Sequence, residues 1–97
     1  MKRNEPESAR DILMRAIAEA GMETRLAERR AIAAFASAVG PDLARRCAEV
    51  RVARGVMYVA VPSAPLRQEL SMMTDALLSH LNAAAGADVI KGIRFVS

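Results

Sequence analysis

The side chains of this chain best equipped for chemistry are cations. Of its 14 basic residues, only Lys2 and Lys91 are lysines; the rest are arginines. Arginine presents a planar fork of donors that matches phosphate and carboxylate, and it stays charged in any surrounding. Arg45, Arg46, Arg51, Arg54, Arg67, Lys91 and Arg94 fall in the second half of the chain. Every phosphate that such a group neutralises releases a condensed counterion, which is the main drive for nucleic-acid binding. Tyr58 lies among them, and an aromatic ring beside a cation suits the stacking of unpaired bases. Ser63 stands where a helix start would offer free N–H groups to a phosphate. The competing reading is a solvated rim of arginines and a half-exposed strand tyrosine.

Catalytic chemistry finds little support. His80 is the sole histidine and Cys47 the sole cysteine, so no metal-ligand spacing exists around either. A cysteine nucleophile needs a positioned base, and Asp42, Asp75 and Asp88 form no paired-carboxylate pattern. Neither a cofactor nor a metal is expected. The reading is of a non-enzymatic protein.

Ninety-seven residues with a formal charge of +3 make one domain with one core. The apolar fraction is 53%, yet Phe35, Phe95 and Tyr58 are the whole aromatic complement. The core must therefore come from Leu, Ile, Val, Met and Ala. The charged start MKRNEPES has no apolar run behind it, unlike a secretory leader. No segment approaches the ~20 apolar residues that span a bilayer. The cytoplasm is the expected compartment.

The elements that must position these groups read as follows. Residues 1–7 are a polar, flexible lead-in, and residues 8–97 form the domain. Ser8 caps a first helix that Gly21 ends. A second helix runs from about Glu23 to Val39, stopped by Gly40, and Pro41 starts a short helical turn through Arg46. From Ala48 the period changes to two. Glu49 to Ala53 is a strand, Arg54-Gly55 a turn, and Val56 to Val61 a second strand. A two-residue turn sets Val52 against Met57, Val50 against Val59 and Arg51 against Tyr58. Because Arg54 tolerates positive φ poorly, a three-residue loop with a bulge at Gly55 is the other possible register. Ser63 caps a long third helix to about Ala85, with Leu66, Leu70, Met73, Leu77, Leu81 and Ala84 as its apolar stripe. Gly86 closes it. Val89 to Val96 is the third strand, with Ile93 and Phe95 toward the core and Arg94 on the other side.

The order is thus α-α-β-β-α-β, an α+β fold with a three-stranded sheet and helices on one face. The segments Phe35 to Gly40 (FASAVG), Pro41 to Arg46 (PDLARR), Gly55 to Val61 (GVMYVAV), Ser63 to Leu70 (SAPLRQEL) and Leu78 to Val96, in this order, resemble the DciA family of bacterial replicative-helicase loaders. The resemblance covers residues 8–97 and describes a short, single-domain member. It implies a KH-like fold, DNA binding (single-stranded or tailed duplex) and contact with the DnaB-type replicative helicase. The GxxG loop by which KH domains clamp a nucleic-acid backbone does not occur here. Many members have Trp at the position of Phe35 and an aromatic at that of Leu66. The nucleic-acid surface expected on this basis comprises Arg45, Arg46, Arg51, Arg54, Tyr58, Ser63, Arg67, Lys91 and Arg94. The second expectation is a protein–protein module, in which exposed Met and Leu on helices one and three form a dimer or partner face. The oligomeric state is left open by the sequence.

Overall fold

The computed structural model describes residues 8–97; the lead-in expected over 1–7 lies outside the described residues. The order is α1 (Ala9–Val39), α2 (Pro41–Arg46), β1 (Glu49–Ala53), β2 (Val56–Ala60), α3 (Ala64–Ser71), α4 (Thr74–Ala85) and β3 (Gly92–Val96). This is an α+β fold, compatible with the KH-like arrangement. The sheet order is β1-β2-β3, with β1 antiparallel and β3 parallel to β2.

The hairpin closes in the two-residue register, with Val52 opposite Met57, Val50 opposite Val59 and Arg51 opposite Tyr58. Arg54 takes φ 53° and Gly55 φ 80°, so both turn residues have the positive φ of the I′ class that matches strand twist. Gly55 is held by more than its dihedral angle. A Cβ there would meet Lys91 Cγ at 3.2 Å, and its carbonyl accepts the Lys91 N–H at 2.6 Å.

Period-two alternation buries Met57 and Val59, with Val61 just beyond the strand, under the helices. Leu66 and Leu70 of α3, Leu77, Leu81 and Ala85 of α4, and Ala27, Ala31 and Phe35 of α1 complete the core with Ile90. Ile93 and Phe95 pack against it from β3. Met73 and Ala84, expected in the stripe, are exposed.

Three boundaries differ from expectation. The first two expected helices are one continuous helix of 31 residues, and Gly21 lies inside it. Thr24 Oγ1 donates to the Ala20 carbonyl at 3.0 Å and the ladder simply continues, because nothing at Gly21 supplies a competing cap. A mid-helix glycine costs about 1 kcal/mol relative to alanine, and a Cβ at Gly21 meets nothing within 4 Å. Gly21→Ala should therefore raise helix stability by up to about 1 kcal/mol, read as greater helical ellipticity on heating; a loss of ellipticity would show that a bend at Gly21 matters.

The expected third helix breaks at Met72 and Met73 into α3 and α4. The Met72 N–H is shared between the Gln68 and Glu69 carbonyls, and the Met73 N–H reaches only to Leu70. Ser71 Oγ and Thr74 Oγ1 take the Arg67 and Ser71 carbonyls at 2.8 Å each, drawing backbone acceptors into side-chain bonds. The break lets α3 lie on the sheet while α4 packs chiefly along α1.

The third strand begins at Gly92, not Val89, because the backbone ahead of it bonds elsewhere. Asn82 Nδ2 donates to the Ile90 carbonyl, and the Ile90 N–H donates to Asn82 Oδ1, each at 2.9 Å. Ile90 is 2% exposed, so Asn82 satisfies a buried peptide unit from both sides. Asn82→Ala would orphan both groups. We expect a loss of about 2 kcal/mol in urea unfolding; a loss under about 0.5 kcal/mol would mean that water replaces the amide.

Candidate nucleic-acid interface

The sheet face opposite the helices is open. Across its middle, Arg51 stands opposite Tyr58 and Tyr58 beside Arg94. The three residues form one row through β1, β2 and β3, since directly paired residues share a face. The Arg51 guanidinium carbon lies 4.4 Å from the Tyr58 ring centroid, a cation–π contact that contributes about 0.5–1 kcal/mol at an exposed site. Arg51 and Arg94 are exposed and Tyr58 is half-buried. With strands about 4.8 Å apart, the two arginine backbones flank the tyrosine across about 10 Å. Glu49 shares this face at the far end of β1, and it is the carboxylate that an approaching polyanion would meet there.

The expected residues do not form one patch. Arg54, at the hairpin turn, and Lys91 lie at one end of the sheet, joined through the Gly55 backbone. Lys91 Nζ donates to the Asp88 carbonyl at 2.7 Å, which holds the ammonium against the loop. Arg45 and Arg46 lie in the last turn of α2, which leads into the opposite end of β1. Arg45 Nη2 bonds Asp42 Oδ1 at 2.5 Å in an exposed ion pair, so its charge is partly offset. Ser63 and Arg67 follow the end of β2. Ser63 Oγ accepts the Leu66 N–H at 3.3 Å, as the cap of α3. Arg67 Nη1 donates to the carbonyls of Val61 at 2.5 Å and Pro62 at 3.2 Å. These bonds tie the chain between strand and helix. Of the expected residues, the sheet register aligns Arg51, Tyr58 and Arg94 in one row, while Arg54 and Lys91 stand at the hairpin end of the sheet.

Other reactive groups stand apart. Cys47 is a free, half-buried thiol that donates to the Leu43 carbonyl at 3.4 Å, and burial raises its pKa above the ordinary value. A raised pKa means less thiolate at neutral pH, the opposite of what a nucleophile needs. His80 is exposed on α4. The groove at the end of that helix is lined by Leu78, Ser79, Asn82 and Asp88 rather than by His80. Among the described residues no three His, Cys, Asp or Glu side chains come together as metal ligands. No helix among the described residues is long and apolar enough to cross a membrane.

Sequence reading did not find the role of Asn82 in holding Ile90; the signal was a polar residue between Leu81 and Ala83, in the largely apolar last turns of α4. Comparison with known proteins adds one finding. The model of the family described as DciA, Dna[CI] antecedent, matches residues 8–95. No curated protein and no solved structure matches the chain.

Proposed function

The chain belongs to the DciA family, and from that premise we propose that it is a DNA-binding accessory protein of bacterial replication. Membership carries a replication-related role in helicase loading. The finer reading is ours. The open sheet face receives single-stranded or tailed DNA, and another face docks on the DnaB-type helicase. We read the protein as non-catalytic and cytoplasmic, acting without a cofactor.

The observation that carries the DNA reading is the row Arg51–Tyr58–Arg94 on the uncovered face. A guanidinium laid over one ring, with a second arginine on the adjoining strand, suits a strand whose phosphates reach the cations while a base stacks on the ring or on a guanidinium plane. Arg54 and Lys91 extend the positive edge along the hairpin. Arg45, Arg46, Ser63 and Arg67 belong to this proposal as a second contact region at the other end of β1. Ser63 Oγ is already engaged by the Leu66 N–H and the Arg67 guanidinium by the Val61 and Pro62 carbonyls, which makes these two the weaker contributors.

The test is fluorescence anisotropy of labelled single-stranded and tailed-duplex oligonucleotides at two salt concentrations, beside a pull-down of the replicative helicase. If about four phosphates are contacted on duplex DNA, log K falls against log salt with a slope near −3.6. Absence of binding at low salt would sink the DNA reading. Absence of the helicase from the pull-down would sink the loader reading alone.

A further inference from the structure

The N-terminal half of α1 leaves the domain. Every residue from Ser8 to Leu26 is exposed, whereas Ala27, Ala31 and Phe35 further along the same helix are buried. Eighteen residues of free helix extend about 27 Å, without the tertiary packing from which most helical stability in proteins comes. Its apolar content is high for such a position. Ile12, Leu13, Met14, Ile17, Met22 and Leu26 are all between 48% and 59% exposed.

Periodicity gives this surface a direction. Leu13, Ile17, Ala20 and Thr24 recur at steps of four, three and four and run straight into the buried row of Ala27 and Ala31. This alternation is the seam of a two-helix coiled coil. Thr24 suits such a seam because its hydroxyl is already bonded to Ala20 within the helix. The seam also reads the same in both directions. Laid antiparallel on itself, it sets Leu13 opposite Thr24 and Ile17 opposite Ala20, each large side chain facing a small one, as interdigitated packing requires.

We propose that two copies of this chain pair through the free halves of α1, antiparallel, along the Leu13–Ile17–Ala20–Thr24 seam. The domain itself excludes the parallel alternative. α4 packs on α1 on the side that buries Ala27, Ala31 and Phe35, the side that continues the seam. Parallel pairing would bring both domains into the same space, whereas antiparallel pairing carries them to opposite ends and brings only the partner's first helical turn, opposite Ala27, up to α4. The charges do not oppose association: Arg10, Arg15 and Arg25 are matched in number by Asp11, Glu19 and Glu23 in this segment. Of the six exposed large apolar side chains, Leu13 and Ile17 lie in the seam and Ile12 and Met14 flank it, while Met22 and Leu26 face away. The area that the pair covers therefore stays below the ~1,200 Å² at which stable specific interfaces begin. The dimer is accordingly weak and concentration-dependent.

Sedimentation equilibrium of the full chain from about 5 to 500 µM, a span that brackets dissociation constants of weak association, tests this. The weight-average mass should rise from 10.4 kDa toward twice that value. Ile17→Glu, in the seam, should hold the mass at one copy with the thermal melt of the domain unchanged. Leu26→Glu, on the opposite side of the helix, should still dimerise. In a Cys47→Ser background, a Leu13→Cys chain mixed with a Thr24→Cys chain should give the mixed disulfide on oxidation. A single-copy mass throughout, a dimer that survives Ile17→Glu, dissociation by Leu26→Glu, or disulfides between like chains would each overturn the proposal.

Discussion

Phe35→Ala should remove about 3–5 kcal/mol of folding stability, the usual cost of emptying a buried aromatic site. Phe35 is 1% exposed and sits among the largest fully buried side chains with Met57, Leu70 and Leu81. In α1 the fully buried contacts are Ala27, Ala31 and this ring, and the alanines bring little area. The phenyl group is therefore what fastens the long helix to α4 and the sheet. A domain of this size holds about 5–15 kcal/mol in total. The substitution should lower the midpoint of thermal unfolding by roughly 15–30 °C, or leave the chain partly unfolded at room temperature. Phe35→Leu, which keeps most of the volume, should cost less than half as much. Circular-dichroism melts of both variants measure this. A shift of only a few degrees for Phe35→Ala would mean that α1 is held by other contacts.

Removal of Arg51 and Arg94 together is the second large effect. Each phosphate contact contributes about 0.9 to the salt slope on duplex DNA. The double substitution Arg51→Ala, Arg94→Ala should lower that slope by about 1.8 and, between 1 M and 0.1 M salt, forfeit roughly 60-fold of the gain in affinity. Both side chains are exposed and the cation–π contact is worth at most about 1 kcal/mol, so the domain should stay folded. Arg25→Ala with Arg29→Ala removes as much charge from an exposed stretch of α1 and should leave the slope in place. If the two pairs weaken binding equally, the protein attracts DNA by net charge alone and the sheet face has no special part.

Much of this architecture could be read from residue order. Alternating valines around Arg54-Gly55 specify the hairpin; its register stood between two turns, and the positive φ that Arg54 adopts selects the two-residue one. Ser8 and Ser63 cap their helices through Asp11 and Leu66 N–H groups, and Gly86 closes α4 in the left-handed conformation. The errors arose where a local signal has two outcomes. Gly21 permits a helix end but does not enforce one without a cap or a proline. The break at Met72 and Met73 depends on hydroxyl bonds from Ser71 and Thr74, which helical periodicity does not encode. The late start of β3 depends on Asn82, a contact eight residues away through space.

The candidate site divides along similar lines. Arg51, Tyr58 and Arg94 share a face because strand period and register dictate it, so their convergence was partly legible. Arg54 and Lys91 meet through a loop whose path no pattern revealed. Ser63 and Arg67 were legible as a helix start, but their bonds to the adjoining backbone were not. Arg45 and Arg46 end a short helix whose orientation depends on the packing of Leu43.

The central claim is that DNA lies on the open sheet face against Tyr58. The chain contains one tyrosine and no tryptophan, so its intrinsic emission reports on that ring alone. Titration with a single-stranded oligonucleotide at low salt, corrected for absorption by the bases, should quench the emission saturably as bases stack on the ring or its guanidinium cover. Added salt should restore it. Binding observed by anisotropy with the tyrosine emission unchanged would place the DNA elsewhere and contradict the account.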